Sequence, residues 1–304
     1  MPAANPKKKS TIFNATACLL IGIILGILFE RYFGAGQSVE PPENPPLKKV
    51  STDGRTEVDL AGIPRSGLMV ALVFGQSNSA NYGEQRYAHV NKNVFNFYNS
   101  KVYVATDPLL GATGSWGSVW TRLGDKLVSR KIYNNIIFVP IGVGSSGVAQ
   151  WAPGGDLHRD LTDVIAQVQA SGLQFTHLLW HQGETDAYLA HTGKDAYQEH
   201  FAAMLASIRN SGVQAPIYVS IASRGRRNRG DPEIVAAQKA LVNKEDIRSG
   251  PDTDRLGFAY RFDGVHFSTE GLDTVADLWF SILARERSMP VSLPLGALDP
   301  AAPD

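Results

Sequence analysis

Asp263 and His266 stand three residues apart in Asp263-Gly264-Val265-His266, a spacing that lets one turn carry a carboxylate and an imidazole together. Far upstream, Gly75-Gln76-Ser77-Asn78 offers a serine hydroxyl. A serine hydroxyl is a weak nucleophile and needs a neighbouring base. His266 could take its proton, and Asp263 could hold the imidazole and stabilise its charged form. That is the chemistry of acyl transfer, which also needs hydrogen-bond donors for a developing oxyanion. Val143-Gly144-Ser145-Ser146-Gly147 could turn backbone N–H groups toward one point. Gln182, in His181-Gln182-Gly183-Glu184, offers a neutral side-chain amide. Taken singly, each has a plainer reading: Ser77 as a loop serine, His266 as a structural histidine, Asp263 as a turn residue, the glycines as loop residues and Gln182 as a turn cap.

The elements around these residues decide whether they can meet. Ser77 follows the apolar run Leu68–Phe74, which reads as a buried strand. Ile136–Ile141, His177–His181, Ile217–Ile221 and Leu256–Tyr260 read the same way, and Val94–Val104 suggests a smaller strand or hairpin. Helical patterns fall between them at Val119–Arg130, Asp160–Ala170, Ala196–Arg209, Pro232–Lys244 and Glu270–Glu286. Pro232 suits a first helical turn, with Asp231 as N-cap. Alternating strands and helices predict a three-layer α/β/α domain with a parallel sheet of about five strands. In such a sheet the C-terminal strand ends share one edge. Ser77, the glycine turn and Gln182 all follow strands, so they would meet there, with Asp263–His266 folding back over them.

Composition narrows the class. The 304 residues are 43% hydrophobic, with zero formal net charge, so nothing pulls the chain toward nucleic acid. Cys18 is the only cysteine, which excludes an internal disulfide framework and a cysteine-based metal site. Lys7, Lys8 and Lys9 precede an apolar stretch from Ile12 to Phe29, near the lower length of a membrane span. Basic residues in front favour an uncleaved anchor with the remainder exported; a cleaved signal peptide is the rival reading. Pro41, Pro42, Pro45 and Pro46 make the next segment a semi-rigid spacer. The expected order is a basic segment (1–11), an anchor (12–33), a Pro-rich linker (34–60), the folded domain (61–288) and a Pro-rich tail (289–304).

Four blocks in order carry a resemblance: Gly75 to Asn78; Val139-Pro140-Ile141-Gly142-Val143-Gly144-Ser145-Ser146-Gly147-Val148-Ala149-Gln150-Trp151; His181 to Glu184; and Asp263 to His266. Over roughly residues 66 to 285 the chain resembles the SGNH hydrolase superfamily, in its branch of sialate O-acetylesterase-like and acetylxylan-esterase-like carbohydrate esterases. That branch has glutamine in the third block where the wider superfamily has asparagine. Its second block often has paired glycines, and here Ser145 takes the second position. The resemblance implies a flavodoxin-like sheet, Ser77 as nucleophile, His266 as base and Asp263 as its partner. It implies the Ser77 and Gly144 amides and the Gln182 side chain as oxyanion hole. Gln76, Asn78 and Glu184 would support the site, and no metal or organic cofactor is called for.

The resulting expectation is a membrane-tethered serine esterase acting on O-acetylated carbohydrate outside the cytoplasmic membrane. The alternatives are an acetyltransferase using the same intermediate and a non-catalytic glycan-binding protein. The expected partners are the acetylated sugar and the membrane, with oligomeric state left open. Trp116, Trp120, Trp151 and Trp180 read first as core residues; each could instead offer a sugar-stacking face, Trp151 foremost because it follows the glycine turn. His177 and His181 sit at metal-binding spacing for a helix, but their segment reads as strand, where four residues span about 13 Å. Arg224, Arg226, Arg227 and Arg229 read as a solvated basic loop or a contact for an anionic glycan or headgroup. Asn81-Tyr82-Gly83-Glu84 could cover the pocket.

Overall fold

In the computed structural model, residues 50–288 are described, apart from residues 89, 226–228 and 244. The basic segment, the anchor, residues 34–49 of the linker and the Pro-rich tail lie outside the described residues. Among the described residues, no helix is long and apolar enough to cross a membrane.

Eight strands form one sheet: β1 (Glu57–Val58), β2 (Leu68–Gly75), β3 (Val94–Tyr98), β4 (Lys101–Val104), β5 (Asn135–Pro140), β6 (His177–His181), β7 (Ile217–Ile221) and β8 (Ile247–Asp252). Their spatial order is β1-β4-β3-β5-β2-β6-β7-β8. Pairing is parallel from β3 through β8, and β4 and β1 extend the edge in antiparallel pairs. Counting only β2, β5, β6, β7 and β8, the order is 2-1-3-4-5, the flavodoxin-like arrangement. The chain leaves β2 for β5 on one side and later returns to β6 on the other. The C-terminal ends of these three strands therefore border the crevice where such sheets bind ligands.

Period-two burial along β2 explains the layers. Val70, Leu72 and Phe74 enter one core, beneath α2 (Val148–Trp151), α3 (His158–Ala170), α4 (Lys194–Asn210) and α5 (Pro232–Leu241). Met69, Ala71 and Val73 enter the opposite core, beneath α1 (Val119–Ser129) and α6 (Thr269–Ser288). A strand buried on both faces must be apolar throughout, which is why β2 reads as a continuous run. Asp231 caps α5 by accepting from the Glu233 and Ile234 amides, with Pro232 in the first turn.

Three differences from the sequence reading have physical causes. Leu256–Tyr260 forms no strand: a 3-10 turn occupies Phe258–Tyr260 and leads into the Asp263 loop. The place beside β7 goes to β8, whose Ile-Arg-Ser-Gly-Pro-Asp sequence lacks a buried-strand pattern because it is an edge. The linker expected through residue 60 contributes β1, and Arg55 donates to the carbonyls of Thr106 and Pro108. Ordered structure therefore starts before residue 61, where β1 covers the free edge of β4.

Candidate active site

Gly75 ends β2 at φ 125°, and a Cβ there would lie 2.1 Å from the His181 carbonyl oxygen of β6. Only glycine permits that approach, and it brings the first and third blocks together at one strand edge. Ser77 opens a 3-10 turn, Ser77–Ser79, and is 5% exposed. The Ala80 amide closes the turn on the Ser77 carbonyl, while the Ser77 N–H, first in the turn, takes no partner among the described residues. Initial N–H groups of a helical turn lack internal acceptors.

The flanking residues are braces. Gln76 Oε1 accepts from the Gly183 and Thr185 amides at 3.2 and 2.9 Å, stapling the third block to the first. Asn78 Nδ2 donates to Glu184 Oε1 at 2.7 Å and to the Val265 carbonyl at 3.3 Å. His181 Nε2 lies 3.7 Å from the same Glu184 oxygen. Burial pushes the Glu184 carboxyl up, but His181, Asn78 and Arg261 outweigh it and hold it down at about 2. Glu184 thus serves as a buried fixed charge beneath the site.

Asp263 and His266 sit on a hairpin tip. Arg261 and Phe267 pair across it, and Gly264 turns at φ 86°. Asp263 Oδ1 accepts from the Val265 and His266 amides at 2.9 and 2.7 Å, and Oδ2 meets His266 Nδ1 at 2.6 Å. One carboxylate therefore forms the turn and orients the ring, which is what the three-residue spacing makes possible. Burial pushes Asp263 up, but hydrogen bonds from the His266 amide and ring and from the Val265 amide win and hold the carboxyl below its usual range. With Nδ1 engaged, Nε2 is the imidazole nitrogen left to exchange a proton. His266 and Ser77 line one cleft of about 520 Å³, together with Ser145, Tyr188, Leu189 and His191. No Ser77 Oγ–imidazole hydrogen bond is formed among the described residues; such contacts commonly tighten on substrate binding.

Several contacts were not legible from motifs. The Tyr82 ring stacks on His266 at 5.3 Å between centroids, covering one face of the imidazole. Its hydroxyl lies against Gly144, where a Cβ would approach to 2.5 Å. Arg261, buried, donates to the Thr253 carbonyl at 3.0 Å and to the Val265 carbonyl, and its guanidinium covers the Phe267 ring. Arg261 thereby ties the Asp263–His266 hairpin to the floor of the site. An arginine two residues before the Asp-x-x-His block was its only sequence signal.

Three residues singled out from the sequence are held otherwise in the structure. The Gly144 amide donates to Thr113 Oγ1 at 2.8 Å, so it is engaged within the protein. Gln182 is fully buried, and its Nε2 donates to the Ser146 carbonyl at 3.1 Å and to the Asp186 carboxylate. Asp186 also accepts from the Val148 amide and the Thr192 hydroxyl. Gln182 thus joins the second and third blocks instead of presenting an unengaged donor. Trp151 is fully buried among Phe74 and Trp180, with its indole N–H on Ser146 Oγ, so it offers no sugar platform. Trp116, by contrast, is 58% exposed, and its amide donates to the Asn81 carbonyl beside Tyr82.

His177 lies at the far end of β6 from His181, hydrogen-bonded to Tyr133 and Thr176. Burial, with Arg248 and Arg287, pushes it down to about 3, so it is a neutral structural histidine. Arg224 is anchored on Asp254, while Arg226 and Arg227 lie outside the described residues.

Residues 68–282 match the sequence model of the family described as carbohydrate esterase, sialic acid-specific acetylesterase. All four blocks fall inside that match. No curated protein matches the chain. A solved protein from Arabidopsis thaliana is similar in structure with a TM-score of 0.58 at 16% identity, covering 72% of this chain and 98% of its own. The crystal structure of NanS is similar with a TM-score of 0.51 at 17% identity, covering 72% of this chain and 97% of its own. At these identities the likeness is one of fold.

Proposed function

This chain belongs to the family of carbohydrate esterases described as sialic acid-specific acetylesterases and is a hydrolase of carboxylic ester bonds, and from that premise we propose that it removes O-acetyl groups from carbohydrate through an acetyl-Ser77 intermediate. The observation that carries the reading is the 2.6 Å Asp263–His266 pair, whose imidazole shares a cleft with Ser77.

Ser77 Oγ attacks the acetyl carbonyl carbon while His266 Nε2 takes its proton. The tetrahedral intermediate collapses by breaking the bond to the sugar oxygen, which receives that proton from His266. Water then attacks acetyl-Ser77, delivering a proton to His266. The acyl–Oγ bond breaks, Ser77 recovers the proton and acetate leaves. Asp263 accepts from Nδ1 throughout and stabilises the imidazolium. The Ser77 amide is the oxyanion donor best supported by its lack of a competing partner. The exposure of Trp116, next to the segment that bears Tyr82, supports it as a stacking face for the sugar.

The apolar run after Lys7–Lys9 supports an uncleaved anchor that holds the domain outside the cytoplasmic membrane. Acetate release is to be screened over O-acetylated sialic acid, xylan, peptidoglycan and simple acetylated sugars, with Ser77→Ala in parallel. Release by the parent and its loss in the variant are expected. Acetyl transfer to an added sugar in place of release would establish the transferase reading, and parental release by Ser77→Ala would overturn the mechanism.

A further inference from the structure

We propose that the Ser145 hydroxyl is a donor to the developing oxyanion, taking over the duty that the second and third blocks would otherwise assign to Gly144 and Gln182. This rests on the acetyl-serine reading above and deepens it.

Both expected donors are committed elsewhere: Gly144 N–H to Thr113 Oγ1, and Gln182 Nε2 to Ser146 O and Asp186. The Ser77 amide needs further donors beside it, because acyl-transfer sites converge several donors on the oxyanion. Ser145 is the residue of the glycine turn that lines the cleft with Ser77 and His266. It is exposed, and neither its amide nor its hydroxyl makes a hydrogen bond among the described residues. Ser146 Oγ, its neighbour, is spent on the Val143 carbonyl.

The backbone supplies an independent argument. Ser146 N–H closes a turn on the Val143 carbonyl, and Ser145 occupies its third position at φ 60°. That left-handed position favours glycine, so a serine there is strained. A residue that only needed to turn the chain would relieve the strain by being glycine. Strain held beside a reactive serine points to use of the side chain. A hydroxyl carries a donor that rotates to suit its acceptor, so it can follow the oxygen as the carbonyl becomes tetrahedral.

The experiment compares the parent, Ser145→Gly and Ser145→Ala on nitrophenyl acetate, with thermal unfolding of each. The hydroxyl role predicts kcat about 10²-fold lower in both variants, with KM within about twofold. Ser145→Gly removes the strain, so its unfolding midpoint is expected to equal or exceed the parent's. Low kcat therefore cannot be blamed on folding. If Ser145→Gly keeps parental kcat, the residue is a turn residue and the proposal is wrong. Labelling of the parent with a fluorophosphonate separates this from the reading beneath it. An unlabelled Ser77 sinks the acetyl-serine mechanism itself, whereas a labelled Ser77 with a fully active Ser145→Gly sinks only the role of Ser145.

Discussion

The proposed nucleophile and its proposed base stand on unlike ground. Ser77 rises from a buried floor in which Gln76, Asn78, His181 and Glu184 join the ends of β2 and β6. His266 and Asp263 sit on a hairpin tip, with side chains 22% and 33% exposed and their shape set by one carboxylate. The two meet at the Val265 carbonyl, which accepts from Asn78 and Arg261. On the proposed mechanism the difference separates two kinds of dependence: the floor would serve folding and catalysis at once, the tip catalysis almost alone.

The comparison breaks most sharply at His266. His266→Ala is expected to lower kcat by on the order of 10⁴-fold, and Asp263→Asn by about 10² to 10⁴-fold, because the imidazole loses its role or its tautomer. Both should leave the unfolding free energy within about 1 kcal/mol of the parent, since the tip buries little. Unfolding of either variant at room temperature would erase the distinction between floor and tip.

Glu184→Gln tests the floor. Loss of a buried charged hydrogen-bonding group is expected to cost roughly 2 kcal/mol near neutral pH, measured by denaturant titration. The sign follows from the depressed value of about 2 against 4.5 for the free group. The unfolded chain takes up the proton first as pH falls, so Glu184 contributes fully above about 4.5 and loses its contribution as pH falls toward about 2. The parent should therefore lose stability across that window faster than Glu184→Gln. Parallel curves would show that the charge is not held down as described.

Tyr82→Ala probes the seam between floor and tip with a smaller effect. Removing the ring stacked on His266 is expected to lower kcat about tenfold to a hundredfold by loosening the imidazole. Steady-state kinetics at fixed pH measure it, and Tyr82→Phe should keep most of the rate if stacking is the function.

What could be read beforehand was local. Gly75-Gln76-Ser77-Asn78 and Asp263–His266 are short, and their geometry follows from contacts within a few residues: a close approach at Gly75 and a turn made by Asp263. The apolar run of β2 likewise announces a strand covered on both faces. Donor availability was not legible, because Thr113 reaches Gly144 from a loop 31 residues away and Asp186 draws Gln182 inward. Nor could the choice between Trp151 and Trp116 be made from position, since burial in the Phe74–Trp180 cluster is a tertiary outcome. β8 was missed because edge strands carry polar residues, and Leu256–Tyr260 misled because an apolar run can also pack a turn.

Ser77 is proposed to carry the acetyl group between sugar and water. Reaction of the parent and of Ser77→Ala with an acetylated sugar, quenched within a turnover and followed by peptide mass spectrometry, measures it directly. One acetyl group is expected on the peptide containing Ser77 in the parent, and neither adduct nor appreciable acetate release in the variant. Turnover at the parental rate by Ser77→Ala, or an acetyl group carried on another residue, would contradict it.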